Sequence, residues 1–356
     1  MIEIEDIREK KEFQGYTFSN FKKSEAKKTW IHSILQSKLE ESCYWCIEYI
    51  CAGHYIDIWE VFFLIASKHI HIGNPKLCIY MYMRYNTFRN IIQSGYIDRE
   101  LELRNNPEIR KLFSEITCVL ALSNRNNAYS DVKINKKDMN ITELNEKLKS
   151  PSIQYCKSIL RKEDANELII CINEFCYHIS KSSMNSYDAI YWMEWLLEYT
   201  LVCKRKKDKC LAERRQFVPV HSDFQCDPIW IIWEAIQMEA EKRLNKIQRR
   251  IIDNLFALYC VRYSDGIKRK RKYMIYFAIS LLTDYVDIAL DHKPIIENTI
   301  AIQNILDNNE KLYKQIKANE KAPKTSYLFK NLKKKNLETS MKKLKILESI
   351  GDKLEI

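Results

Sequence analysis

Apolar residues recur at helical spacing along most of this chain, and the alternation expected of strands occurs nowhere. Trp30, Ile31, Ile34 and Leu35 share one face, with Ser24 as a partial N-cap. A second helix is predicted over 42–52, stopped by Gly53. A third runs from Asp57 to near His71, where Gly73-Asn74-Pro75 ends it. Leu77 to Ile92 follows, broken by Gly95, and then Glu108 to Leu122, opened by Pro107. Residues 123–150 are polar and read as a linker. Beyond it the pattern predicts helices over 164–179 and 186–201, a charged insertion over 203–226, and a long helix from Pro228 towards Arg250. Ile251 to Val261 stays apolar, Asp265-Gly266 breaks it, and a last core helix spans Tyr273 to Leu290. The core signal fades from Asn304. Ala322-Pro323 is a hinge before a Lys-rich amphipathic helix over 326–350.

Two stretches stand out within this pattern. Tyr44-Trp45 and Trp59 lie in the first half; Tyr191-Trp192, Trp195, Trp230 and Trp233 lie in the second. The echo suggests two related helical bundles, a weak internal duplication with aromatic cores. The expectation is an all-α chain: an N-terminal helical domain over 1–122, the linker 123–150, a second domain over 151–303, and a basic helical tail over 304–356. The aromatic rings invite a base-stacking role, but their neighbours are Ile, Phe and Cys, so an interior role explains them better.

Composition supports the helical reading. The chain has 356 residues, 46% of them hydrophobic, with only 6 Gly and 7 Pro, which suits long helices and is ample for a packed core. The start, Met1 to Asp6, is acidic and has no apolar segment of a secretory signal. The 12 Cys are therefore expected to be reduced thiols in an intracellular setting, cytoplasmic or nuclear. No apolar run reaches eighteen residues, the length of a membrane span, so no membrane partner is expected.

Several chemistries lack their motifs. The glycines are too dispersed for a phosphate-cradling loop or a dinucleotide fingerprint. No serine elbow, zinc-protease helix or calcium loop occurs. No catalytic residue and no cofactor is expected. Cys43, Cys46, Cys51 and His54 have a zinc-like spacing, but one helix cannot wrap its own thiols around a tetrahedral ion. Cys203, Cys210, His221 and Cys226 bracket the charged insertion and form the better metal candidate, with a solvated loop as the plainer alternative.

Charge is the stronger signal. The net charge is +11, and basic clusters crowd the second half and tail: Lys204 to Lys207, Arg214-Arg215, Arg249-Arg250, Lys268 to Lys272 and Lys333 to Lys335. Any one cluster can be a solvated face. Together they point to nucleic acid held by its backbone, without sequence reading, through Lys206, Lys207, Arg214, Arg215, Arg249, Arg250, Lys268, Arg269, Lys270 and Arg271.

Tyr44-Trp45, Gly53, Ala66 to Ile70, Gly73 and Pro75 carry a resemblance. Over 42–75 the chain resembles the helical C-terminal, collar-like region of clamp-loader-related AAA+ ATPases that act at stalled replication forks. That region has an Ala-x-Tyr-Trp helix, a glycine turn, and an Ala-Ser-Glu-Asp-Ile-Gly segment before a proline. Here Lys68-His69 replaces the acidic pair, two residues are inserted before Gly73, and the ATPase core is missing. Leu101 to Pro107, Trp230 to Glu234 and the Lys/Ile/Asn bias make the whole chain resemble an uncharacterised protein family of nucleocytoplasmic large DNA viruses. The resemblances imply a helical scaffold and a role in the viral replication factory or in the particle. The expectation is a non-enzymatic accessory protein of DNA replication or repair, with a protein partner on its first half and nucleic acid on its second. The alternatives are a virion structural or packaging protein and a divergent enzyme.

Overall fold

The computed structural model describes residues 2–135, 137–139, 144–208, 210–286, 294–321 and 341. The predicted helix over 326–350, the cluster Lys333 to Lys335 and the end of the 273–290 helix lie outside the described residues. Among the described residues the chain is all-α: there is no strand, and the one isolated bridge pairs Tyr16 with Lys22. No described helix is long and apolar enough to cross a membrane.

The first half contains α1 (Lys23–Leu35), α2 (Leu39–Cys51), α3 (Tyr55–Leu64), α4 (Leu77–Gln93) and α5 (Pro107–Leu122). The second contains α6 (Ile169–Ile179), α7 (Ser186–Lys206), α8 (Ile229–Arg243), α9 (Lys246–Cys260), the single turn α10 (Ile267–Lys270) and α11 (Lys272–Thr283). A last described helix, α12 (Thr299–Lys317), returns to pack on α2 and α5 of the first half. Leu312, Tyr313 and Ile316 are buried there. The expected loss of core after Asn304 does not occur, because three apolar residues at helical spacing suffice to seat one face of α12.

Local chemistry explains several boundaries. The Asn106 side chain accepts from the Glu108 and Ile109 amides at 2.8 and 3.2 Å, and Pro107 follows at the first helical position. Gly53 takes φ +74°, which ends α2 as expected. The single helix expected from Pro228 to Arg250 is two helices. Asn245 breaks it with a reciprocal capping box, accepting from the Gln248 amide at 2.9 Å while the Gln248 side chain accepts from the Asn245 amide at 3.2 Å. The helix expected to reach His71 loses regular geometry after Leu64. It passes through a wide turn over Ile65–Ile70 and a tight one over His71–Gly73.

The aromatic core is real, but its first-half members differ from expectation. Trp30 and Trp59 are buried, with Tyr49 5.2 Å and Phe62 5.7 Å from Trp30. Tyr44 and Trp45 are only half-buried, and Trp45 meets the exposed Phe21 edge-on at 5.3 Å. In the second half Tyr191, Trp192, Trp195, Trp230 and Trp233 are all buried. Each such ring withdrawn from water contributes about 1.5–3 kcal/mol. The Tyr-Trp pairs are therefore not equivalent in the two halves.

The described residues on either side of 140–143 are tied to the fold. The Asn126 and Ala128 amides donate to the Ile70 and Lys68 carbonyls at 3.1 and 2.7 Å. These carbonyls end an irregular turn and need outside partners. Further on, the Lys149 and Ser150 amides donate to the buried Glu174 carboxylate at 2.9 and 3.0 Å. The leading arm is tied as firmly. Arg8 sits between the Phe13 and Phe18 rings at 4.7 Å from each and bonds Asp6 at 2.6 Å. Asp6 in turn accepts from the Lys321 amide at 2.9 Å.

Candidate nucleic-acid interface

The basic residues singled out in the sequence fall into two groups. Arg215 is fully buried. It donates to Asp164 at 2.7 Å and to Glu234 at 3.0 Å, so it staples the 203–226 segment onto α8. Arg271 is buried too. It donates to the carbonyls of Tyr259 at 2.8 Å and of Val261 at 2.6 Å, and pairs with Glu60 across the seam between the halves. Lys268 pairs with Asp227 at 2.7 Å, Arg269 with Glu198 at 2.9 Å, and Arg214 donates to Gln225 at 2.7 Å. Lys272 lies between Asp131 and Glu194, 2.7 Å from each. Burial alone would lower the Lys272 pKa, but the hydrogen bonds it donates to those carboxylates raise it.

Arg214, Arg215, Lys268, Arg269 and Arg271 each have an internal partner, and Arg215 and Arg271 are also buried. Lys206, Lys207, Arg249, Arg250 and Lys270 are exposed, and among the described residues their side chains have no hydrogen bond or ion pair; the same holds for Arg205 and Lys246, which the sequence reading passed over. Lys246, Arg249 and Arg250 stand at i, i+3 and i+4 on α9, a spacing that puts them on one face. That spacing was the available signal.

Position separates these groups further. Arg205 and Lys206 end α7, and Lys207 follows it with φ +62°. Cations at a helix C-terminus are favoured by the helix dipole and close its last carbonyls, so this cluster has a structural reason to exist. Lys204 beside it pairs with Asp265 at 2.8 Å. The α9 cations sit at the opposite end of their helix. The dipole is positive there, and three cations cost stability rather than adding it. Asp253, one turn on, is the nearest acidic residue of that face. Burial pushes its carboxyl pKa up, against a downward pull from Arg249.

The metal candidates do not assemble. Cys203 is buried and the side chain of His221 is exposed, 3.3 Å from Asp223. Among the described residues no group of His, Cys, Asp and Glu is placed to hold a metal ion. Cys43 and Cys46 are buried where α2 meets α5, with Cys43 Sγ 3.6 Å from Cys118 Sγ. Burial pushes the Cys46 thiol up to about 12, so it behaves as a small apolar side chain. No family model, curated protein or solved structure matches this chain.

Proposed function

We propose that this chain is a non-enzymatic helical accessory protein that holds nucleic acid by its phosphates, in the setting of viral DNA replication or repair. The observation that supports the reading is the unpaired trio Lys246, Arg249 and Arg250 at the positive end of α9, with Asn245 capping the helix behind it. Among the described residues no carboxylate forms an ion pair with the trio, and the helix dipole disfavours three cations at this end. Such placement is expected of charges kept for a partner. Lys206, Lys207 and Lys270 are further exposed cations of the second half. Contact with phosphates alone carries no sequence information, so the reading is sequence-independent binding.

The test is fluorescence anisotropy of a labelled single-stranded oligonucleotide, titrated at several salt concentrations. Affinity is expected to fall steeply with salt, and Lys246→Glu/Arg249→Glu/Arg250→Glu should flatten the logarithmic slope by about 2, near 0.7 for each lost phosphate contact. Arg214→Ala, whose guanidinium is already engaged, should leave the slope in place. Equal affinity and slope in the triple variant and the unaltered protein would refute the assignment.

A further inference from the structure

A cavity of ≈ 390 Å³ opens where the start of α3, the second half of α4 and the turn between α9 and α10 meet. Its size is that of a small-molecule site. Its wall is aromatic. Trp59 meets Tyr85 edge-on at 5.1 Å and lies 5.7 Å from Phe88. Trp59 and Phe88 are buried, and Tyr85 is half-buried.

The charges around this cavity do not balance locally. Its carboxylates are all answered: Glu100 by Lys10, Asp57 by Lys23 at 2.9 Å, and Glu60 by Arg271. Arg89 and Arg262 also line it, both are exposed, and among the described residues neither side chain has a hydrogen bond or ion pair. Arg89 follows Tyr85 by one helical turn, which sets its side chain on the face that carries the ring. Arg262 has φ +46°. That left-handed backbone is one an arginine rarely adopts and a glycine would take without strain. Strain of this kind is tolerated where the side chain has work to do. An aromatic wall with two uncompensated guanidinium groups at its rim suits a flat ring that carries an anion. Arginine matches phosphate oxygens in a fork, and the wall offers the ring a stacking surface.

We propose that this cavity binds a nucleoside phosphate, with the base against Trp59 and Tyr85 and the phosphate between Arg89 and Arg262. The site does not depend on the α9 trio. The ligand is either a free nucleotide or the phosphorylated end of a strand, and both present the same chemistry.

The probe is adenosine monophosphate, titrated calorimetrically into the full chain. It is expected to bind at one site. Arg89→Ala and Arg262→Ala should each weaken binding about tenfold or more, the loss of one charge-assisted hydrogen bond. Neither side chain has a partner among the described residues, so both variants should melt with the unaltered protein. Adenosine and inorganic phosphate should each bind at least about tenfold more weakly, since each keeps only half of the contacts. Lys246→Glu/Arg249→Glu/Arg250→Glu should leave nucleotide binding unchanged, which separates this site from the phosphate-holding surface. A 5′-phosphorylated oligonucleotide that competes with the nucleotide identifies a strand end as the ligand; one that does not identifies a free nucleotide. A silent titration, equal binding by the Arg89→Ala/Arg262→Ala variant, or adenosine binding as well as the nucleotide would overturn the proposal.

Discussion

Arg215 and Asp164 form a buried ion pair across fifty-one positions of sequence, with Arg215 Nη2 2.7 Å from Asp164 Oδ2. Burial alone would raise the Asp164 pKa. The Arg215 hydrogen bonds, with the Arg161 and Glu213 amides, outweigh it and hold the carboxyl below its usual value. Arg215→Met leaves that carboxylate buried and unanswered, and an expected loss of about 3–5 kcal/mol follows. Urea unfolding at neutral pH measures it. The pair's contribution is fully present above pH 3.8, the ordinary value of the group, and is lost as pH falls below that through the folded value. A loss under 1 kcal/mol, on the order of a surface pair, would contradict this account.

His71 gives a second pH window. It is buried against Phe277 at 4.8 Å, and neither ring nitrogen reaches a hydrogen-bond partner. Burial pushes its pKa down to about 4, against smaller upward pulls from Asp284 and the Tyr276 backbone. Between pH 6.5 and about 4 the unfolded chain binds a proton that the folded chain refuses. Stability therefore falls as pH drops through that window, by on the order of 3 kcal/mol for this one group. His71→Phe should remove that part of the slope. Parallel stability curves for the two proteins between pH 7 and pH 4 would show that His71 is not responsible.

Gly73 and Gly15 make a matched pair for a steric test. A Cβ at Gly73 would stand 2.8 Å from the backbone of Asn124, Arg125 and Asn126, whereas one at Gly15 meets nothing within 4 Å. Gly73→Ala must push the crossing segment aside, and the expected cost is about 1–3 kcal/mol. Gly15→Ala should be near neutral. Equal melting temperatures for the two variants would mean that the 124–126 segment yields without cost.

The helical class and most helix starts were legible in the sequence, because apolar spacing, Pro107 and Gly53 act locally. The break at Asn245 was legible too, since Asn and Gln stand three apart there, but the apolar pattern on either side masked it. Arg215 and Arg271 were not legible as structural residues. Their partners Asp164 and Glu60 lie far away in sequence, and a run of basic letters looks the same whether or not a carboxylate faces it. The attachment of residues 123–150 was hidden for a different reason. It is made by backbone amides of Asn126 and Ala128, which leave no trace in the side-chain pattern. The aromatic cavity joins α3 and α4 to a turn some 170 residues further on, a juxtaposition that only folding supplies.

The clasp between the leading arm and the far end of α12 has a consequence for synthesis. Ile2, Asp6, Ile7 and Arg8 find acceptors or donors on Glu310, Lys321 and Asn319, and Arg110 bridges to Glu310 at 3.2 Å. These residues leave the ribosome some three hundred positions ahead of their partners on and after α12. The opening bundle must wait, incomplete, while some two hundred further residues are translated. Nascent chains arrested before residue 299 should stay open to protease over 2–22, and those released past residue 321 should become resistant there.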